Sequence, residues 1–258
     1  MYLDKIVLSH RQSLLHEKRN LDVLVSQASQ LPSGRGFISR LKQDSVNSLA
    51  VIAEIKRKSP SKGELNPDLD AAVLAEQYCR GGASCLSVLT DADFFGGSVN
   101  DLVQARSATT LPVIRKDFTV SEFDVVDARL MGADCVLLIA AVLSDAELQK
   151  FHHLATEIGL DVLVETHDEK ELERALNAGA LMIGVNQRDL MTFQVDHERA
   201  ERMASLIPRH VVRVAESGVR DHQDARRLRD VGYDAVLVGE SIVTSVDPSH
   251  MVRQLMVV

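Results

Sequence analysis

The chain has 258 residues, 45% of them hydrophobic, a size at which a single α/β barrel with one large core is possible. A net charge of -8, with Lys and Arg dispersed along the chain, argues against general attraction to nucleic acid or an anionic membrane, so any anionic ligand has to be captured locally. Three cysteines without a CxxC pair (Cys79, Cys85, Cys135) read as core thiols of a reducing cytosol, and nine histidines without ligand spacing point to no metal; a cytoplasmic monomer is expected.

The amino terminus, MYLDKIVLSHRQ, is broken at Asp4 and lacks the apolar stretch of a secretory signal. Residues 1–48 read instead as a helical extension packed on the rest of the chain. Helical periodicity runs from about Tyr2 to Ser26, then comes the turn-forming Leu31-Pro-Ser-Gly-Arg-Gly36 and a second short helical piece. Its docking face, the bottom of a barrel or the mouth, is open on periodicity alone. From Ala50 onward, β-rich apolar runs alternate with amphipathic helical runs eight times, the pattern of a doubly wound sheet or a closed parallel barrel, and eight units favour closure. The expected strands are Ala50 to Ile55, Cys85 to Leu89, Pro112 to Lys116, Cys135 to Ala140, Val162 to Glu165, Met182 to Val185, Val211 to Ala215 and Ala235 to Val238. The longest apolar run, Cys135 to Leu143, is too short to cross a bilayer. Residues 1–258 therefore read as one (β/α)8 TIM-barrel domain, with the extension packed on it. Gly82, Gly132, Gly179 and Gly232 each precede a strand as expected left-handed helix caps. Those junctions mark the amino-terminal face, so function is expected at the opposite ends of the strands.

Strand side chains alternate, so Ile52, Glu54 and Lys56 share one face of the first strand, and the apolar set Val51, Ala53 and Ile55 must face the helices. That places a carboxylate and an ammonium inside the barrel, as a structural ion pair or as catalytic groups. Lys116 has the parity of Ile114 at the end of the third strand, Glu165 closes the fifth and Asn186 comes just after the sixth. Convergence from several strand ends is how catalytic sites of these barrels are built. The loop Lys58-Ser-Pro-Ser-Lys-Gly63 adds hydroxyls and two cations, although by itself it is a polar turn. Glu216-Ser217-Gly218 and Gly239-Glu240-Ser241 come after the last two strands, where barrels of this kind bind phosphate through backbone N–H groups; the alternative is that both glycines only turn the chain. Phe95, Phe118, Leu138 and Leu190 supply a possible apolar wall for an aromatic substrate, each equally compatible with ordinary packing. Arg213, on the face of Ala215, is expected to need a buried carboxylate partner.

The stretches Ala53-Glu-Ile-Lys-Arg-Lys-Ser-Pro-Ser61, Ile114-Arg-Lys-Asp-Phe118, Gly184-Val-Asn-Gln-Arg-Asp-Leu190 and Ala215-Glu-Ser-Gly218 resemble indole-3-glycerol phosphate synthase, over almost the whole chain. The resemblance implies ring closure of 1-(2-carboxyphenylamino)-1-deoxyribulose 5-phosphate with loss of carbon dioxide and water, without a cofactor or metal. It makes Lys116 the acid at the ketone oxygen. Lys56 holds the anthranilate carboxylate and is a candidate proton source for dehydration. Glu165 stabilises the charge on the ring nitrogen, and Glu54 is the partner base. By the same resemblance Asn186 and Arg188 orient the substrate, Ser217 gives a hydroxyl contact, Glu216 binds substrate, Lys58, Ser59, Gly218, Gly239 and Glu240 bind on the phosphate side, and Phe95, Phe118, Leu138 and Leu190 receive the anthranilate ring. The Glu240 carboxylate is expected to point away, leaving only its amide for phosphate. Two lysines in one site are expected to repel and lower the ammonium pKa, a shift that Glu54 and Glu165 limit. Two other functions fit a phosphate-binding barrel: a lyase using a Schiff-base lysine, and a metabolite-binding barrel without catalysis. The second needs no full acid–base set.

Overall fold

A computed structural model describes residues 2–258. Eight strands, β1 (Ala50–Ile55), β2 (Cys85–Leu89), β3 (Val113–Lys116), β4 (Cys135–Ile139), β5 (Asp161–Thr166), β6 (Met182–Asn186), β7 (Val212–Glu216) and β8 (Ala235–Val238), close into a barrel of order β1-β8-β7-β6-β5-β4-β3-β2. Every neighbouring pair in the barrel is parallel, as short strands linked by helices require. The eight expected strands are all present, with bounds shifted by at most one residue.

Alternation sorts the apolar residues into two cores. Val51, Ala53 and Ile55 pack outward against the helices, together with Val136, Leu138, Val162, Val164 and Ala215. Ala50, Ile52, Cys85, Ile114, Cys135, Leu137, Met182 and Val214 fill the barrel interior. Cys85 and Cys135 are thus core thiols, and Cys79 is half-buried; all three are free. Gly82, Gly132, Gly179 and Gly232 have φ of 93°, 93°, 89° and 97°, the left-handed turn into each strand. Arg213 departs from expectation. Its guanidinium donates to two main-chain carbonyls, Gly232 O at 3.2 Å and Ile207 O at 2.7 Å, and Asp234 accepts only its backbone N–H. Carbonyls satisfy its donors, so no buried carboxylate is needed.

The extension uses both candidate docking faces. Helix α1 (Tyr2–Ser13) runs into a short 3-10 turn, and α2 (Leu21–Ser29) starts afresh, so the single helical stretch expected from about Tyr2 to Ser26 is two helices. The break is local: the Asn20 side chain caps α2 by accepting from Val23 N at 3.2 Å. Removing that cap with Asn20→Ala is expected to cost about 1 kcal/mol in urea unfolding, without changing the slope of the transition. Helix α3 (Phe37–Asp44) starts after Gly36, whose φ is 71°, and buries Phe37 and Leu41 in the interior cluster with Ala50, Cys85, Cys135 and Ala235. It therefore plugs the bottom of the barrel. At the other end, His10 of α1 reaches Asp91 and Phe118 in the loops after β2 and β3. Among the described residues no helix is long and apolar enough to cross a membrane.

Candidate active site

The carboxyl ends of the strands surround a cavity of about 560 Å³, in the range of small-ligand sites. Glu54, Lys56, Lys116, Glu165, Asn186 and Glu216 line it, each brought there by the inward parity of its strand. Lys56 Nζ donates to Glu54 Oε1 at 2.5 Å, and Ser87 Oγ donates to Glu54 Oε2 at 3.4 Å. Gly239 makes room for this pair: a Cβ there would stand 2.4 Å from Glu54 Oε1 and 3.1 Å from Lys56 Nζ. Lys116 Nζ lies 3.4 Å from Glu165 Oε2 and 3.8 Å from Glu216 Oε2. Asn186 Nδ2 donates to Glu165 Oε1 at 3.0 Å.

These charges decide the protonation states. Burial alone would lower the Lys116 pKa, but Glu165, Glu216 and Glu54 together raise it above the usual lysine range. The expected lowering by lysine repulsion is therefore reversed, because three carboxylates surround an ammonium that has one lysine nearby. Burial likewise would raise Glu165, yet Lys116, His167 and Asn186 hold it well below the usual carboxylate range. Glu216 goes the other way. Burial and then the charge of Glu165 push it up to about 8, against the pull of Lys116, so it is neutral at neutral pH. Among the described residues its Oε1 has no hydrogen-bond partner. Two neighbouring carboxyl groups with separated pKa values are the arrangement by which a site keeps one acid and one base.

The mouth carries the apolar and anion-facing groups. Phe95, Phe118 and Leu190 line the cavity, with the two phenyl centroids 6.3 Å apart. Leu138 does not: it packs outward in the strand–helix core, and the inward residues of β4 are Leu137 and Ile139, both on the cavity wall. Alternation within β4 requires this, so the expectation of Leu138 at the ring is out by one residue. Lys58 also departs from its expected place. Its Nζ donates to Asp93 O at 2.7 Å, turned away from the cavity, while Ser59 and Lys62 of the same loop line it. The loop forms a two-stranded hairpin, Lys58–Ser59 with Gly63–Glu64, and hairpin geometry rather than helix or strand period sets which lysine faces in.

Ser217, Gly218, Gly239 and Glu240 meet on one side of the cavity. Ser217 has φ 65°, unusual for a residue with a side chain, and Gly218 has φ 75°. Buried Gln187 holds this bend, its Nε2 donating to Ser217 O at 2.7 Å and its N–H to Glu216 O at 3.0 Å. The Glu240 carboxylate does not point away as expected. It faces Lys62 at 3.4 Å and Arg188 at 3.9 Å, bridging two mouth cations that would otherwise repel.

Three further residues, Gln187, His10 and His167, carry no signal that singles them out in the sequence by residue type alone. His10 Nε2 is 3.0 Å from Asp91 Oδ2, and Asp91 Oδ1 caps the short helix carrying Phe95. His10 also lies against Phe118, the rings tilted by 46° with centroids 5.7 Å apart, so α1 braces the aromatic wall. His167 stands behind Glu165, two residues along the chain, and the alternation that identifies Glu165 is the signal that could have found it.

Solved structures with the same barrel include 3-hexulose-6-phosphate synthase from Salmonella typhimurium, with a TM-score of 0.65, 18% identity and coverage of 80% of this chain and 96% of that one. Thiamine phosphate pyrophosphorylase from Pyrococcus furiosus gives a TM-score of 0.59 at 16% identity, over 83% of this chain and 95% of that one. N-acetylmannosamine-6-phosphate 2-epimerase from Clostridium perfringens gives 0.60 at 14% identity, over 77% and 90%. At such identities the likeness establishes the fold and nothing of the chemistry. The family model described as indole-3-glycerol phosphate synthase, by contrast, matches residues 3–255, the extension and the whole barrel together. This chain belongs to the indole-3-glycerol phosphate synthase family, carboxy-lyases that close the indole ring in tryptophan biosynthesis.

Proposed function

We propose a division of the family's reaction among the charged groups of the cavity. The observation that carries the division is Lys116 Nζ within 4 Å of both Glu165 and Glu216, beside a second ion pair, Glu54–Lys56. The ring carbon that bears the carboxylate attacks the ketone carbon, and Lys116 gives its proton to the ketone oxygen as the bond forms. Positive charge then develops on the anilino nitrogen, where Glu165, held ionised, stabilises it. Loss of carbon dioxide restores the ring, its bonding electrons flowing back into the aromatic system. Lys56, oriented by Glu54, holds the carboxylate before that step and then gives a proton to the departing hydroxyl, while Glu165 takes a proton from the methylene carbon beside the nitrogen, so that water leaves and the ring double bond forms.

Phe95, Phe118, Leu137 and Leu190 take the aromatic ring. Asn186 and Arg188 orient the chain of the sugar, and the Gly218, Gly239 and Glu240 amides with Ser59 and Ser217 receive the phosphate. Lys62 and Arg188 add charge at that end, and a phosphate entering between them takes over the role of the Glu240 carboxylate. Neutral Glu216 offers the substrate a hydrogen-bond donor that an ionised carboxylate lacks. The strongly raised Lys116 argues against a Schiff-base nucleophile, which has to be a free amine, so borohydride with substrate is expected to trap no adduct.

Because Glu216 titrates near 8 and is neutral below that value, its ionisation at higher pH adds a negative charge where the substrate brings two anionic groups. The expected result is a fall in kcat/KM on the alkaline side with an apparent pKa near 8, flattened in Glu216→Gln, which stays neutral throughout. The direct test of the function is incubation of the chain with 1-(2-carboxyphenylamino)-1-deoxyribulose 5-phosphate while indole fluorescence is recorded. Fluorescence rising with release of one carbon dioxide per indole supports the reading; a flat trace from folded protein removes it.

A further inference from the structure

His167 comes directly after β5 with the parity of Glu165 and lies outside the cavity lining, its side chain 12% exposed. On one side, Glu171 Oε2 is 2.8 Å from the His167 backbone N–H and 2.9 Å from ring Nδ1. An oxygen that accepts from a backbone N–H is an acceptor, so Nδ1 carries a proton toward it. On the other side, Nε2 is buried, has no hydrogen-bond partner of good geometry among the described residues and lies 3.4 Å from Glu165 Oε1. An unprotonated Nε2 would set a lone pair against an anionic oxygen in a dry environment, whereas a protonated one meets it with an N–H. Both contacts therefore call for a proton, and the ring is an imidazolium between two carboxylates.

The consequence falls on Glu165. Its Oε1 is held by Asn186 at 3.0 Å and faced by His167, so Oε2 is the oxygen left toward Lys116. We propose that His167 is a positioning residue for Glu165: a doubly protonated imidazole, anchored by Glu171, that pins one carboxylate oxygen and keeps the other ionised and aimed at the reacting nitrogen. The proposal rests on the role given to Glu165 above. The titratable groups that act on the ring are Glu165 on β5, Glu171 on the helix Glu169–Asn177 and, across the barrel, Glu216 on β7; Lys116 on β3 faces the far side of Glu165. Burial acts against the charged ring, but Glu165 and Glu171 outweigh it and push its pKa up to about 10.

The experiment combines imidazole ¹⁵N spectra with steady-state kinetics. In the wild type, the resonances missing from His167→Gln are expected to show both ring nitrogens protonated up to about pH 8, well above an ordinary histidine. His167→Gln is expected to lower kcat by about tenfold with KM within about twofold, and to move the acid limb of kcat up by about one pH unit, because Glu165 loses a cation. Glu171→Gln, remote from the cavity, is expected to shift that limb in the same direction by less and to lower the titration midpoint of the ring. It is the second route should His167→Gln fold poorly. A ring neutral at about pH 7 in the wild type would overturn the proposal, as would acid limbs of both variants that overlay the wild type. The spectra read the ring without reference to turnover. A failed role for Glu165 would show separately, as near-normal turnover in Glu165→Gln with the His167 signals still doubly protonated.

Discussion

Lys116→Ala is expected to lower kcat by roughly 10²–10⁴-fold, the usual range for loss of a positioned general acid. Affinity for a phosphorylated product analogue should stay within about threefold, because the groups assigned to the phosphate, Ser59, Ser217, Gly218, Gly239 and Glu240, lie on other loops. The variant also leaves Glu165 and Glu216 side by side without their shared cation. Glu216 is already neutral, so Glu165 is the buried carboxylate left without its ammonium, and its pKa rises. Circular dichroism and thermal unfolding therefore accompany the kinetics, since a buried pair that loses one partner costs about 3–5 kcal/mol. Near-normal turnover in a folded Lys116→Ala would remove this lysine as the acid.

Gly184→Ala is expected to be nearly as damaging, although it removes no functional group. Gly184 lies on β6 beside the buried Glu216, and a Cβ there would stand 1.9 Å from Glu216 Oε1 and 3.3 Å from Leu163 Cδ1. The carboxyl has to move, and Lys116 and Glu165 move with it, since all three are packed in one cluster. A displacement of about 1 Å at reacting groups can cost about 100-fold in rate, so kcat/KM is expected to fall by about that factor. Overpacking should also cost about 1–3 kcal/mol of stability. A kcat/KM within about twofold of the wild type would mean that Glu216 does not need its observed position.

Much of this site is legible in the sequence because strand alternation is a rigid, local rule. Glu54 and Lys56 are identified by the apolar Val51, Ala53 and Ile55 that alternate with them, and Lys116 and Glu165 by their strands. The same rule, carried one step further, separates the inward Leu137 from Leu138 and picks out His167, two residues past Glu165. Lys58 and Lys62 sit in a hairpin whose turn, not a period, decides which ammonium faces the cavity, so the sequence does not separate them. The extension reads as one long helix because Glu17 to Asn20 interrupts it by capping rather than by a proline or glycine. The sign of the Lys116 shift depends on Glu216 as well as Glu165, and how many carboxylates surround an ammonium is a property of the closed barrel. Glu240 turns inward for a related reason: Lys62 and Arg188, distant in sequence, meet at the mouth and attract it.

The central claim is spatial: one ligand must touch the Lys116–Glu165 pair and the loops after β7 and β8 at once. A crystal structure with indole-3-glycerol phosphate bound tests it most directly. The account predicts the phosphate against the backbone of Gly218, Gly239 and Glu240, the indole between Phe95 and Phe118, and Lys116 and Glu165 within hydrogen-bond reach of the bicyclic core. A phosphate held elsewhere on the barrel, or an indole lying away from both phenylalanines and from Lys116, would contradict it.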